Sequence, residues 1–405
     1  MPARRFVLVI ITIIATAGPA LADLQVTSDF EGGSGVVESI DPQAGVIRLT
    51  PTPHENHGWV CWWYVKVTGI TPGRDVTIDF GGGLGNWGMP AQAAFSTDHK
   101  TWRHTAPGKR EGKRIRYTQK IDATTAWFAW GPPFTPSDAA ALVERLAKES
   151  PYAQAFELCR TRAGRPVPAM VVQQPGASDD QRYGVWINAR QHAWESGSSW
   201  VCRGLAEWLV GDEPEAEMLR KKAIVYIVPV MDIDNVAIGA GGKQQPPHDH
   251  NRDWSDDPHW YAVRAAIERI TKLNAAGRFD LFIDLHNPGP GDGQPFYFVS
   301  PADMLRGPGK RNLDRFFALA KAHITGPLKL SDRLRESGPS YDKMWKTISK
   351  NWVVRNTADH VVAVTLETSW NTPNSTPEGY LTVGRQQGQA IAAYFREPVR
   401  AAVAE

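Results

Sequence analysis

The chain has 405 residues, 42% of them hydrophobic and 22% charged, which is enough apolar material for one large core or two ordinary ones. Its formal net charge is only +2, and Lys and Arg are spread along the chain, so the composition gives no support for a nucleic-acid partner. The three cysteines, Cys61, Cys159 and Cys202, are few and odd in number and predict no disulfide framework.

Residues 1–22 have the pattern of a signal peptide. Arg4 and Arg5 precede an apolar run that ends at Ala17, and Ala20-Leu21-Ala22 provides small residues of the kind that a signal peptidase reads. We therefore expect cleavage before Asp23, export to the periplasm or the medium, and no stable membrane insertion afterwards. A retained membrane anchor is the alternative.

Residues 23–135 have the texture of β structure. Short apolar or alternating runs, GVIRLT, WVCWWYVKV, DVTIDF and TAWFAW, are separated by turn clusters such as TPGRD. This pattern predicts an N-terminal antiparallel β-sandwich domain. Its tryptophans alternate along the predicted strands, which favours core packing over a ligand-binding aromatic surface.

Residues 136–405 predict an α/β domain with a mixed central sheet flanked by helices. A helix is expected at about 135–150, and strands then alternate with helices at 198–210, 258–274, 311–323 and 383–395. The strands are expected in the runs VPAMVVQQ, YGVWINAR, KAIVYIVPV, FDLFIDLH and HVVAVTLET.

His192 and Glu195 lie between the YGVWINAR strand and the helix that follows it. A His and a Glu three residues apart can converge on one cation, but this pair alone could equally be two surface residues beside a helix N-cap. His286 ends the FDLFIDLH strand and adds a second imidazole. The three residues form a set of two histidines and one glutamate, in which two are close in sequence and the third is distant. This spacing is the one expected for a catalytic site that binds one Zn²⁺ per chain.

Further polar residues suggest a hydrolytic site around that ion. Glu367 ends the HVVAVTLET strand, and a carboxylate beside a metal-activated water can serve as general base and then general acid. Arg252 can fork onto a carboxylate with two hydrogen bonds and Asn251 can add a third, which suits an anionic substrate end. Asp249 could hold the outer nitrogen of a zinc-bound histidine.

These motifs, in this order, resemble the zinc metallocarboxypeptidases of the carboxypeptidase A type. The segment ARQHAWESGSSWV is similar to the ARxHPGESxSSW signature of the cytosolic-carboxypeptidase branch, and NRDW to its NRxW. That branch includes bacterial members and carries an N-terminal β-sandwich. The resemblance covers about residues 23–395, with specific motifs only in the second half.

The resemblance implies that His192, Glu195 and His286 bind zinc, that Glu367 is the general base and acid, and that Asn251 and Arg252 grip the substrate's terminal carboxylate. The family's oxyanion-stabilising arginine, about nine residues before the Asn, falls here on Gly242, with Lys243 alongside as a substitute cation.

Two further features of the family have only loose counterparts. Tyr341 is the nearest candidate for the mobile tyrosine, although a core or surface role suits it better. The branch prefers acidic C-terminal residues, read by basic side chains in the pocket. Here a basic stretch could serve, but a solvated helix face is the favoured interpretation of its members, Lys343, Lys346, Lys350 and Arg355.

The expected function is a zinc-dependent carboxypeptidase acting on a peptide or peptide-like substrate with a free carboxylate. Two alternatives remain open. One is an amidase or deacylase acting on N-acyl amino acids or peptidoglycan stem peptides. The other is a catalytically impaired, zinc-holding binding protein of the cell envelope; the absent arginine favours it, and Glu367 argues against it.

Overall fold

The computed structural model describes residues 24–176 and 182–400, so the expected signal peptide lies outside the described residues. No helix in these two ranges is both long enough and apolar enough to cross a bilayer. Ten strands occupy the N-terminal part: β1 (Gln25–Thr27), β2 (Val36–Asp41), β3 (Val46–Thr50), β4 (Tyr64–Thr68), β5 (Arg74–Gly81), β6 (Ala94–Ser96), β7 (Arg103–His104), β8 (Lys109–Glu111), β9 (Arg114–Ile121) and β10 (Thr125–Ala129).

These strands form two five-stranded sheets, in the orders β1-β4-β10-β6-β7 and β2-β3-β5-β9-β8. Neighbouring strands are antiparallel except β3 and β5, which run parallel. The run WVCWWYVKV was expected to be a strand throughout, but only its end belongs to β4. That expectation is wrong for residues 59–63, because Trp59 donates its backbone N–H to Lys243 of the second half rather than to a sheet neighbour.

The second half contains eight α-helices in the described ranges: α1 (Pro136–Glu149), α2 (Ser196–Leu209), α3 (Pro214–Lys222), α4 (Ile233–Ile238), α5 (Tyr261–Ala275), α6 (Gly307–His323), α7 (Ser349–Asn356) and α8 (Pro377–Tyr394). Its eight strands form one mixed sheet: β11 (Ala153–Arg160), β12 (Pro166–Val172), β13 (Tyr183–Ala189), β14 (Ala223–Val228), β15 (Leu281–His286), β16 (Phe296–Val299), β17 (Leu334–Glu336) and β18 (Val362–Glu367). The predicted fold class, a mixed central sheet flanked by helices after an N-terminal sheet domain, is confirmed.

The order of strands in the large sheet is β11-β12-β14-β13-β15-β18-β16-β17, and the central four, β14, β13, β15 and β18, run parallel. Every residue of β15 and β18 is buried, as expected of parallel strands covered on both faces. Because parallel strands end at the same edge of a sheet, side chains at the ends of β13, β15 and β18 are brought together.

Candidate metal and active site

The end of the central strands gathers the side chains that the sequence singled out. His286 is the last residue of β15 and Glu367 the last of β18, and the two are direct register partners. His192 and Glu195 lie in the turn between β13 and α2. The structure thus brings together side chains from three segments that are distant along the chain.

His192, Glu195 and His286 converge as metal ligands would. The Nδ1 atom of His192 lies 2.7 Å from Glu195 Oε1, and Nδ1 of His286 lies 2.6 Å from Glu195 Oε2. One ligand atom from each residue falls within 4.8 Å of the others, and all three side chains are buried. Two imidazole nitrogens and one carboxylate are a donor set that zinc accepts.

Electrostatics favour a cation at this position. Burial alone would raise the pKa of Glu195, but the adjacent imidazoles of His192 and His286 hold it below its usual range. Burial would lower the pKa of His286, yet Asp284 and Glu195 raise it well above its ordinary value. The carboxylates around the two imidazoles therefore favour positive charge at this position, which a divalent ion would supply.

Asp284 orients His286 and was not predicted. Its Oδ2 lies 2.9 Å from His286 Nε2 and also accepts hydrogen bonds from Gln191 Nε2 at 2.6 Å and Ser349 Oγ at 2.7 Å. A carboxylate on the outer nitrogen of a ligand histidine fixes the ring orientation. The signal was present in the sequence, because residues 284 and 286 of a strand share one face.

Asp249 lies beside the outer nitrogen of His192, as the sequence suggested. His192 Nε2 is 3.3 Å from Asp249 Oδ1, but the two are not aligned as a hydrogen bond, and neither atom has another partner among the described residues. The other Asp249 oxygen accepts the backbone N–H of Gln244 at 3.0 Å. Burial opposes ionisation of Asp249, but the neighbouring charges of His192 and Arg252 hold its pKa below the usual range.

Glu367 has the character of a proton-transfer group. Its side chain is buried, and no described group hydrogen-bonds to Oε2. Burial raises the pKa of Glu367 to about 7, against the opposing positive charge of His286. A carboxyl group with such a pKa can both accept and donate a proton near neutral pH.

Asn251 and Arg252 line the same pocket as Glu367. Arg252 Nε donates to Asp342 Oδ2 at 2.9 Å, and Asn251 Oδ1 accepts the backbone N–H of Ser349 at 3.1 Å. Both side chains are therefore held in place, while a guanidinium with five N–H donors still has donors to offer a ligand. Tyr341 is 46% exposed at the pocket rim, and its ring centroid is 6.0 Å from the guanidinium carbon of Arg252.

Gly242 cannot be replaced by the arginine that the resemblance places there. It has a φ of 77°, and a Cβ would lie 2.4 Å from Asp232 Oδ2 and 2.8 Å from the backbone nitrogen of Ala193. The next residue, Lys243, is half-buried and lines the pocket with Arg252 and Glu367. The backbone thus excludes a side chain at residue 242 and brings the cation of residue 243 to the site.

The interpretation of the basic stretch as a solvated helix face is wrong for Lys350. Lys343, Lys346 and Arg355 are exposed, as expected of a solvated face, but Lys350 is fully buried and lines the pocket. Burial lowers the pKa of Lys350 to about 7. Its ammonium hydrogen-bonds to Ser337 Oγ and to Asn351 Oδ1.

Comparison with known proteins points to one family. An uncharacterised protein of Zymomonas mobilis is 26% identical over 244 residues, covering 58% of this chain and 60% of that protein. Cytosolic carboxypeptidase 3 of Mus musculus is 27% identical over 253 residues, covering 56% of this chain but only 25% of its own length. This chain therefore spans less than two thirds of these relatives.

A solved structure shares the fold over nearly the whole chain. The metallo-carboxypeptidase of Burkholderia cenocepacia superposes with a TM-score of 0.78 at 22% identity, covering 92% of this chain and 99% of that one. The model of the zinc carboxypeptidase family matches residues 140–350, which include His192, Glu195 and His286 but not Glu367. Since that match spans more than half of the sequence, the chain belongs to the zinc carboxypeptidase family.

Proposed function

We propose that this protein is a zinc-dependent carboxypeptidase that releases an acidic residue from the C-terminus of a peptide. The observation that carries the proposal is the convergence of His192, Glu195 and His286 beside a pocket that also holds Glu367 and Arg252. One zinc per chain, held by the first three, would act as a Lewis acid that polarises the scissile carbonyl and activates water.

Each remaining side chain has a separate task in this proposal. Arg252 binds the terminal carboxylate of the substrate, and Asn251 adds a hydrogen bond. Glu367 takes the proton of the attacking water and passes it to the departing amine, for which its pKa of about 7 is suited. Lys243 stabilises the negative charge that develops on the carbonyl oxygen.

The burial of Lys350 supports the proposed preference for an acidic side chain at the substrate's C-terminus. A buried lysine with only neutral hydrogen-bond acceptors carries a desolvation cost that an incoming carboxylate would offset. An apolar residue in the same pocket would leave that cost in place. Lys350 therefore favours glutamate or aspartate over leucine or phenylalanine.

The test is the release of glutamate from a peptide that ends in glutamate. We expect release to stop after treatment with a chelator and to return with zinc. Glu367→Gln should lower kcat by about 10²- to 10⁴-fold while the zinc content stays at one per chain. Glu336→Gln, which changes an exposed glutamate of β17, is the matched control. If the wild type releases nothing from peptides with acidic, apolar or D-amino acid ends, the proposal is wrong.

We also propose that residues 1–22 direct export and are removed. The support is the sequence pattern of a basic start, an apolar run and Ala20-Leu21-Ala22. N-terminal sequencing of the protein purified from the periplasm or medium should begin at Asp23. A protein that keeps Met1 in the cytoplasm would contradict export.

A further inference from the structure

Two segments from different halves of the chain are joined beside the pocket. Trp59 donates its backbone N–H to the carbonyl of Lys243 at 2.9 Å, and Gly242 donates to the carbonyl of His57 at 2.8 Å. The indole N–H of Trp59 also donates to Gln244 Oε1 at 2.9 Å. The N-terminal part therefore holds both the main chain and a side chain of the loop that carries Lys243.

The crossing of the two segments depends on glycines. A Cβ on Gly58 would lie 2.4 Å from the carbonyl oxygen of Lys243, and one on Gly241 would lie 2.0 Å from the carbonyl oxygen of Trp59. Side chains at either position would push the segments apart. The sequence thus permits an approach close enough for the hydrogen bonds and for a ring contact with Lys243.

The ring of Trp59 lies beneath the Lys243 ammonium, with Nζ 5.2 Å from the ring centroid. Trp59 also stacks on Trp194, with ring centroids 6.0 Å apart and an interplanar angle of 30°. In the sequence, Trp194 lies between the candidate ligands His192 and Glu195. The electron-rich face of a tryptophan ring attracts a cation at this distance, so the Trp59 ring attracts the Lys243 ammonium. A lysine needs this help more than an arginine does, because its ammonium is a compact charge on a flexible stem.

We propose that the N-terminal part contributes to catalysis through the loop before β4, with Trp59 as the positioning residue that holds the Lys243 ammonium where the carbonyl oxygen becomes negative. This inference rests on the proposed carboxypeptidase function. It gives the N-terminal part a task within the reaction, in addition to any binding of its own. Trp59 acts through Lys243, so the effects of removing each should not multiply.

The experiment is a double-mutant cycle on a peptide that ends in glutamate. Lys243→Met should lower kcat by about 10²-fold with KM little changed, and Trp59→Leu should lower kcat by about 5- to 10-fold. The double variant should be no slower than Lys243→Met alone. Trp59→Phe, which keeps an aromatic face, should restore most of the kcat lost in Trp59→Leu.

A binding measurement gives a second readout that is independent of turnover. A phosphonate analogue of the peptide, with a tetrahedral anion in place of the scissile amide, should bind Lys243→Met and Trp59→Leu more weakly by the same factors as kcat falls. Free glutamate, which lacks that anion, should bind all variants equally by calorimetry. Zinc content should stay at one per chain in each variant.

Trp127→Leu is the matched control, because Trp127 holds Lys66 in a contact of the same kind at 5.4 Å but does not line the pocket. It should leave kcat and phosphonate affinity unchanged. If the wild type is active and Trp59→Leu keeps full kcat, or if the losses in the double variant multiply, the positioning role is wrong while the proposed function stands. If the wild type neither cleaves the peptide nor binds the phosphonate, both are overturned.

Discussion

The proposed recognition of an acidic C-terminal residue by the buried Lys350 predicts that substrate binding depends on pH. The pKa of Lys350 is about 7 in the free protein, so above that pH the fraction carrying a charge falls about tenfold per unit. An acidic C-terminal residue needs the charged form. We expect KM for a peptide ending in glutamate to rise by up to about tenfold per pH unit above pH 7, while KM for one ending in leucine changes less.

The lysine variants separate this effect from other titrations. Lys350→Arg keeps a charge at every pH and should remove the rise in KM, since guanidinium groups stay protonated. Lys346→Met removes an exposed positive charge from the same stretch and should retain the wild-type profile. An unchanged pH profile in Lys350→Arg would contradict the role of Lys350.

The same residue should cost stability. Because the folded-state pKa is lowered from 10.5 to about 7, the unfolded chain binds one more proton between these values. Stability therefore rises with pH across pH 7 to 10.5, and the cost of Lys350 is fully present below pH 7. Lys350→Met should be more stable than the wild type in denaturant, with a larger gain at pH 6 than at pH 10. An equal or smaller gain at pH 6 would show that the lysine is not buried as described.

Asp284 should tune the affinity for metal without binding it. Removing a carboxylate from the outer nitrogen of a ligand histidine typically costs about 10- to 100-fold in metal affinity. We expect Asp284→Ala to weaken zinc binding by that amount in competition with a chromophoric chelator. Asp303→Ala, at an exposed position, should bind zinc as the wild type does. Equal affinity in both variants would exclude this role.

At the scale of elements, the close contact of α2 with α8 supports the site. Gly384 of α8 faces α2, and a Cβ there would lie 2.0 Å from the carbonyl oxygen of Val201. Gly384→Ala must move the helices apart and should cost about 1–3 kcal/mol in denaturant unfolding. Because α2 begins directly after Glu195, zinc affinity should fall as well. Arg385→Ala, at the exposed neighbouring position, should stay within about 0.5 kcal/mol of the wild type.

The elements that the sequence predicted well are those with strong local patterns. The strands that end at His286 and Glu367 were mainly apolar runs with a polar residue at the carboxyl end, so the location of both residues followed from the pattern. β16 and β17 were not predicted, because they are short and their patterns are weak. The burial of Lys350 depends on α7 packing beside β15 and β18, which no local pattern indicates.

Contacts between the two halves of the molecule were not predictable from local sequence patterns. The alternation of tryptophans predicted core packing, but Trp59, Trp130 and Trp194 join the two halves rather than fill one of them. The proposed boundary at residue 135 therefore separates two sheet systems that share an aromatic interface. The crossing of residues 57–59 with residues 241–244 joins positions far apart in sequence, so no local sequence pattern indicates it.

The shared interface predicts that the two halves unfold together. Trp194 is only 2% exposed because Trp59 and Trp130 from the N-terminal part and Trp370 from the second half surround it. Unfolding either half alone would expose these rings to water at a large free-energy cost. We expect the chain that begins at Asp23 to unfold in a single calorimetric transition, with the same midpoint by circular dichroism and by tryptophan fluorescence.

Repeating the unfolding experiment with and without zinc tests whether the two halves are coupled. An ion that binds only the folded state should raise the free energy of unfolding by about 2.7 kcal/mol at a free concentration one hundred times its Kd. If the halves are coupled through the tryptophan interface, zinc must move the whole transition, including the part that reports the N-terminal sheets. His192→Ala should abolish the shift, while His323→Ala, at the end of α6, should keep it. Two transitions, only one of which responds to zinc, would mean that the N-terminal sheets fold independently of the metal site.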